Sequence, residues 1–144
     1  MRILKNCAMT LVMMITAGVG MALAQGPVQK QVDFDINAPY ALRMGNFMLP
    51  AGQYVLYQAD ANNPTLFFLF QGTDMMHSPI AVINTVRIGY PTADYPEHTK
   101  MLLRIDESSA NSHPVLRGWN IAGEDGWEIV AVVPKHGSPL TRAE

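Results

Sequence analysis

From Gln31 to Val133 the chain alternates apolar and polar residues with a period of two, and turn formers interrupt it at short intervals. Side chains point to opposite faces of a β-strand at successive residues, so this period confines the chain to an all-β fold. The mature chain shows no three-turn helical pattern and no internal repeat. Val32, Phe34 and Ile36 alternate with Asp33 and Asp35, which gives a first strand with one face on the core and one in water, at an edge or outer position. Asn37-Ala38-Pro39 breaks that strand, Tyr40 to Arg43 pairs as a short one, and Met44-Gly45-Asn46 turns the chain into Phe47 to Leu49. In Leu49-Pro50-Ala51-Gly52 the proline presets φ at the second position and the glycine suits the fourth position of a type I turn. The tetrapeptide is therefore expected to reverse the chain and launch Gln53 to Ala59.

Asp60 to Pro64 is dense in turn formers and precedes Thr65-Leu66-Phe67-Phe68-Leu69-Phe70, a run that is apolar on both faces. Such a strand invites aggregation at an edge, so it is expected in the middle of a sheet and covered on both sides. Ile80 to Ile88 reads as a long strand with Val82, Val86 and Ile88 on one face and Ala81, Ile83, Thr85 and Arg87 on the other. Met101 to Ile105 reads as another, with Met101, Leu103 and Ile105 inward. Val115 to Ala122 and Trp127 to Val133 flank Gly123-Glu124-Asp125-Gly126 as a hairpin. A two-residue turn at Asp125-Gly126 sets Ile121 against Val130 and Trp119 against Val132, whereas a loop of four or five residues shifts the register. Beyond Pro134 the tail is polar and expected to be loosely held. The total, seven or eight short antiparallel strands, implies a β-sandwich or a partly closed barrel.

Ahead of this domain, Arg2 and Lys5 precede a mostly apolar run from Ala8 to Met21, followed by Ala22-Leu23-Ala24. A basic flank, an apolar run and a small-x-small site make a secretory signal, expected to span 1–24 and to be cleaved near Ala24. The run contains Thr10, Thr16, Gly18 and Gly20 and falls short of the roughly 20 apolar residues of a spanning helix. The mature chain, 25–144, is then a single exported domain with no transmembrane segment, periplasmic or extracellular. The only cysteine, Cys7, lies in the leader, so no disulfide or lipid anchor forms. A chain of this size can bury roughly two-thirds of its unfolded surface, enough for one core. Two of the ten Lys+Arg lie in the leader, so eight face 12 Asp+Glu, a formal charge of −4. The basic residues are scattered singly, which excludes nucleic acid as a partner.

The run Val32-Asp33-Phe34-Asp35-Ile36, then Gly45-Asn46, then Leu49-Pro50-Ala51-Gly52-Gln53-Tyr54-Val55-Leu56 resembles a family of small exported all-β proteins common in acidobacteria, with the pattern FDF…GN…LPAGxYxV. Lys100 to Arg104 and the Trp119 to Ile129 region resemble its second half more loosely. The resemblance implies the fold and export. Its sharpest motif is a turn, and it implies no site residues. The stretch Gly89 to Thr99, with two Tyr-Pro steps, departs from the family's pattern.

The best metal candidate is Asp74-Met75-Met76-His77, because the imidazole of His77 with the thioethers of Met75 and Met76 suits copper, and Met44 and Met48 are possible further ligands. Methionine more often fills irregular core gaps, which favours a plain loop. His98, His113 and His136 fall in polar loops. The acidic pairs Asp33/Asp35, Asp106-Glu107 and Glu124-Asp125 have no spacing that sets a glycosidase separation and are expected to be solvated. The serines lack a G-x-S-x-G context, and no glycine-rich phosphate cradle is present. On the loop Gly89 to His98, Tyr90 and Tyr95 are each followed by proline, an arrangement that can hold a sugar ring or a partner, while the commoner role of loop tyrosines is to cover a core edge. The chain is thus expected to be a non-catalytic exported β module with a binding or structural role at the cell envelope, without a cofactor. Its expected ligand is a protein, a glycan or a small molecule. The alternative is a small periplasmic copper-binding protein.

Overall fold

A computed structural model describes residues 28–105 and 113–143 of the chain. The expected leader and the serine-rich connection at 108–112 lie outside them, as do Asp106 and Glu107. The strands are β1 Gln31–Ile36, β2 Leu42–Met44, β3 Phe47–Leu49, β4 Gly52–Asp60, β5 Asn63–Gln71, β6 Ala81–Ile88, β7 Lys100–Arg104, β8 Val115–Asn120, β9 Gly126–Pro134 and β10 Thr141–Arg142. The only helical element among the described residues is a 3₁₀ turn at Thr92–Asp94. No helix there is long and apolar enough to cross a membrane.

The fold is all-β, with ten strands among the described residues in place of the expected seven or eight. They form one open sheet in the order β1-β4-β5-β6-β9-β8-β2-β3-β10, and β7 pairs with β8 off this path. Pairing is antiparallel except for β2 with β8, which meet in parallel at Arg43 and Val115. Six neighbour steps separate β1 from β2, about 29 Å in a flat sheet. Yet Val32 and Ile36 of β1 share one core with Leu42 and Met44 of β2 and Leu49 of β3. The sheet therefore folds over its own inner face.

The alternation in β1 is as the sequence predicts, with Val32 and Ile36 buried, and β1 is an edge strand. The two-residue Gly45-Asn46 turn joins β2 to β3, with Met44 opposite Phe47. Gly45 takes φ +57° and Asn46 does not go positive, the combination a type II′ hairpin uses. Leu49-Pro50-Ala51-Gly52 does not build a hairpin: β3 pairs with β2 and β10, while β4 pairs with β1 and β5. It is a bend that carries the chain from one end of the sheet to the other. The Tyr54 hydroxyl holds this corner by donating to the Pro50 carbonyl at 2.8 Å, and the Tyr54 ring stacks on Phe34 at 5.5 Å.

Central placement of β5 is as expected, between β4 and β6. Phe67 and Leu69 are fully buried on the inner face, but Leu66 and Phe68 are only half-buried on the other. Cover on both sides, the expectation for this strand, is therefore incomplete among the described residues. The β8–β9 hairpin has the longer loop. Trp119 lies opposite Trp127 and Asn120 opposite Gly126, so Ile121 to Asp125 form the connection. Phe67 meets Trp119 and Trp127 edge-on, with centroids at 4.9 and 5.7 Å. The Trp127 indole N–H donates to the Pro64 carbonyl at 2.7 Å.

Two bulges change the faces that a strict period of two predicts. Asn84 pairs with Ala131 and Thr85 with Ile129, which leaves Val130 as the extra residue of β9. Trp127 and Ile129 point inward on one side of the bulge and Val132 on the other, because the extra residue reverses parity. On β8, Arg117 is the extra residue opposite the step from Leu102 to Leu103. Leu103 and Ile105, expected inward, are 50% and 70% exposed, since among the described residues β7 is attached only to β8 and its far end is uncovered. The tail is also held more firmly than its polarity suggests: β10 pairs with β3, and Leu140 packs on the core.

Gly118 leaves less room for a side chain than any other described glycine. A Cβ there would stand 1.9 Å from the Trp127 carbonyl oxygen, a backbone atom that cannot swing aside. Gly118→Ala is expected to cost at least about 2 kcal/mol, measurable as a lowered urea midpoint. Tyr54 yields a second test. Burial raises its phenol above the ordinary 10.0, so folding favours the neutral ring. The associated stability is complete below about pH 10 and is lost as the pH rises through the folded value. Alkaline unfolding monitored by phenolate absorbance is expected to show one late-ionising tyrosine, absent in Tyr54→Phe.

Candidate functional site

A cleft of about 400 Å³ opens where the β4–β5 turn, the β8–β9 loop and the start of β1 converge. Its builders come from five separate parts of the chain. Lys30 precedes β1 and is anchored twice to Gln58 of β4: its amide donates to the Gln58 side-chain oxygen at 3.1 Å, and its carbonyl accepts the Gln58 amide at 2.8 Å. Gln58 is itself buried, and its amide nitrogen donates to the Asp60 carbonyl at 2.8 Å. Every side-chain polar atom of this glutamine thus has a partner, which removes most of the cost of burying it. From that anchor the Lys30 ammonium reaches across the cleft to Glu124 on the β8–β9 loop.

Asp125 ties two segments to the mouth of the cleft. One carboxylate oxygen pairs with the Arg87 guanidinium at the end of β6, and the other accepts the Tyr90 amide at 3.3 Å. Its side chain is 16% exposed while that of Arg87 is 51% exposed, so the pair sits at the mouth. The Gly89–His98 loop is fastened alongside: the Gly123 amide donates to the Pro96 carbonyl at 2.9 Å, and the Ala122 amide to the Thr99 hydroxyl at 3.1 Å. Tyr95 is thereby set in the wall, with Trp127 and Pro64 lining the floor beside it.

The two loop tyrosines separate in role. Tyr95 lines the cleft and is partly exposed. Tyr90 folds back, its hydroxyl donating to the Asn120 side-chain oxygen at 3.2 Å, which is the core-covering role. Gly126 makes this possible, because a Cβ there would lie 2.3 Å from that same Asn120 oxygen and 3.3 Å from the Tyr90 ring. The Asp125-Gly126 pair is therefore an ion-pairing carboxylate followed by a space-making glycine, and the chain turns earlier in the same loop, where the Glu124 amide donates to the Ile121 carbonyl at 3.1 Å. Glu124 and Asp125, expected to be solvated, are ion-paired.

His77 stands on an exposed loop, 3.8 Å from Asp74, and Met76 beside it is 91% exposed and Met75 40%. Met44 is fully buried in the core and Met48 half-buried on β3. Among the described residues no group of three or more His, Cys, Asp or Glu side chains is gathered for a metal. Asp33 and Asp35 lie exposed on β1, Asp33 accepting a hydrogen bond from Gln31 at 2.9 Å. Lys30, Gln58, Arg87 and Trp127 carry no motif and were not legible as site residues. The place is marked in the sequence by Tyr95 as a loop aromatic and by the doubled carboxylate at Glu124-Asp125. Comparison with protein-family models, with curated proteins and with solved structures yielded no match.

The Arg87–Asp125 pair lies near the surface, so its worth is modest. A double-mutant cycle over Arg87→Ala and Asp125→Ala is expected to return a coupling of about 0.5–1 kcal/mol that shrinks as salt is added. Asp125→Ala alone is expected to cost more than Arg87→Ala, since it also releases the Tyr90 amide.

Proposed function

We propose that this chain is an exported, non-catalytic β module of the cell envelope whose cleft holds a neutral polyhydroxylated ligand of the glycan class. The reading rests on one observation: the cleft beside Tyr95 is lined by two cations and two carboxylates already matched to one another, Lys30 with Glu124 and Arg87 with Asp125. A charged ligand would have to break a pair and leave one member without its partner. A hydroxyl, which donates and accepts, can bridge both members of a pair without displacing either. An aromatic wall next to such groups suits the apolar face of a sugar ring. Export is supported by the basic flank, apolar run and Ala22-Leu23-Ala24 site.

Titration of the exported protein with neutral oligosaccharides, followed by amide chemical shifts, tests the reading. Changes centred on Arg87, Tyr95 and Gly123 are expected, with affinity at least about tenfold lower in Tyr95→Ala, a loss of about 1.4 kcal/mol. Absence of any shift at millimolar oligosaccharide would remove it. The competing copper reading, on His77 with Met75 and Met76, predicts instead stoichiometric copper that is lost in His77→Ala.

A further inference from the structure

The outer face of the sheet is apolar where an open antiparallel sheet ordinarily turns polar residues to water. Cross-strand register places Tyr57, Phe68, Val82 and Val133 in one row over β4, β5, β6 and β9. Leu66 and Val86 extend the patch, and the bulged Val130 stands beside it. Val86, Val130 and Val133 are 48%, 64% and 54% exposed, while Val55 and Phe70 on the same face are buried yet outside the main core. The patch is thus shielded at one end and open at the other. Apart from the Tyr57 hydroxyl, which is hydrogen-bonded to Gln29, the polar side chain within it is Asn84, exposed and opposite Leu66 and Ala131. Polar groups rim it, with Gln31, Asp33 and Asp35 on the β1 side and the Arg117–Glu128 pair on the other.

We propose that this face is a two-fold interface with a second copy of the chain, distinct from the cleft. Size is the first argument. Four strands about 4.8 Å apart and roughly 25–30 Å long present on the order of 500 Å² of footprint per copy. Two copies then bury about 1,000 Å², the lower bound for a specific association. Self-complementarity is the second. A charged residue at the centre of a two-fold contact meets its own sign, but a primary amide carries donor and acceptor together, so Asn84 can pair with its counterpart. The flanking valines then meet aliphatic surface, in the face-to-face arrangement of stacked sheets, about 10 Å apart. The residue pattern of β5 demands cover on both faces, and a second copy supplies what the described residues leave open.

The test is sedimentation of the exported protein over roughly 1–200 µM, a range that brackets the micromolar dissociation constant expected of a small interface. A reversible dimer is expected, reduced to monomer by Val133→Glu or Val86→Lys with the melting midpoint of the monomer retained. Should those variants fold poorly, Asn84→Cys in a Cys7→Ser background gives an independent reading. Oxidation is expected to link two chains through Cys at that position, because the background has no other thiol. A wild-type protein that stays monomeric throughout the range overturns the proposal. So does a dimer that persists in both charge variants and fails to cross-link, since its contact then lies elsewhere.

Discussion

The close approach of β8 to β9 at Gly118 is the contact on which the rest of the structure depends. With only a hydrogen on its α-carbon, Gly118 lets the Trp127 carbonyl come where no side chain fits, and the next pair in register is Trp119 against Trp127. Both indoles turn inward and receive Phe67 edge-on from β5. Burying an indole removes about 150–250 Å² from water, worth roughly 4–6 kcal/mol. Among the described residues the Trp119 indole N–H is buried without a hydrogen-bond partner, at a cost of about 1–3 kcal/mol. Burial of the ring exceeds that cost, which explains why an unsatisfied donor is tolerated at the centre of the core.

The same hairpin also builds the polar site. Because the β8–β9 loop is five residues long, Glu124 and Asp125 stand beyond the aromatic core and above Trp127, where Lys30 and Arg87 arrive from β1 and β6. A two-residue turn would have placed these carboxylates at the tip of a hairpin, in water. Core packing and site construction are thus one geometric fact: the register that pairs the tryptophans lifts the carboxylates to the cations. Gly126 contributes to both, since the space it leaves is occupied by Asn120 and Tyr90.

Legibility in the sequence followed the range of the interactions. The strands with uninterrupted alternation, such as Val32 to Ile36, were readable because burial of one face imposes a local period of two. The faces of β8 and β9 were not, because the bulges at Arg117 and Val130 reverse parity through pairing with distant strands. Thr141 and Arg142 form a strand only because the β3 edge is there to receive them. Of the cleft, Tyr95 was visible as a loop aromatic, and Glu124-Asp125 as a carboxylate pair. Lys30, Gln58 and Arg87 were invisible, since their roles depend on partners 94, 28 and 38 residues away.

What the sequence determined by itself is the all-β class, the hairpin at Gly45-Asn46 and the central place of the doubly apolar β5, all consequences of side-chain period, turn chemistry and solubility acting over a few residues. What only the tertiary structure decided is that the strands make one open sheet folded over itself, that the bend at Pro50 crosses the sheet rather than closing a hairpin, and which of two tyrosines faces the cleft. Those outcomes turn on register and close approach between segments far apart in the chain, and a local pattern of apolar and polar residues is compatible with several of them.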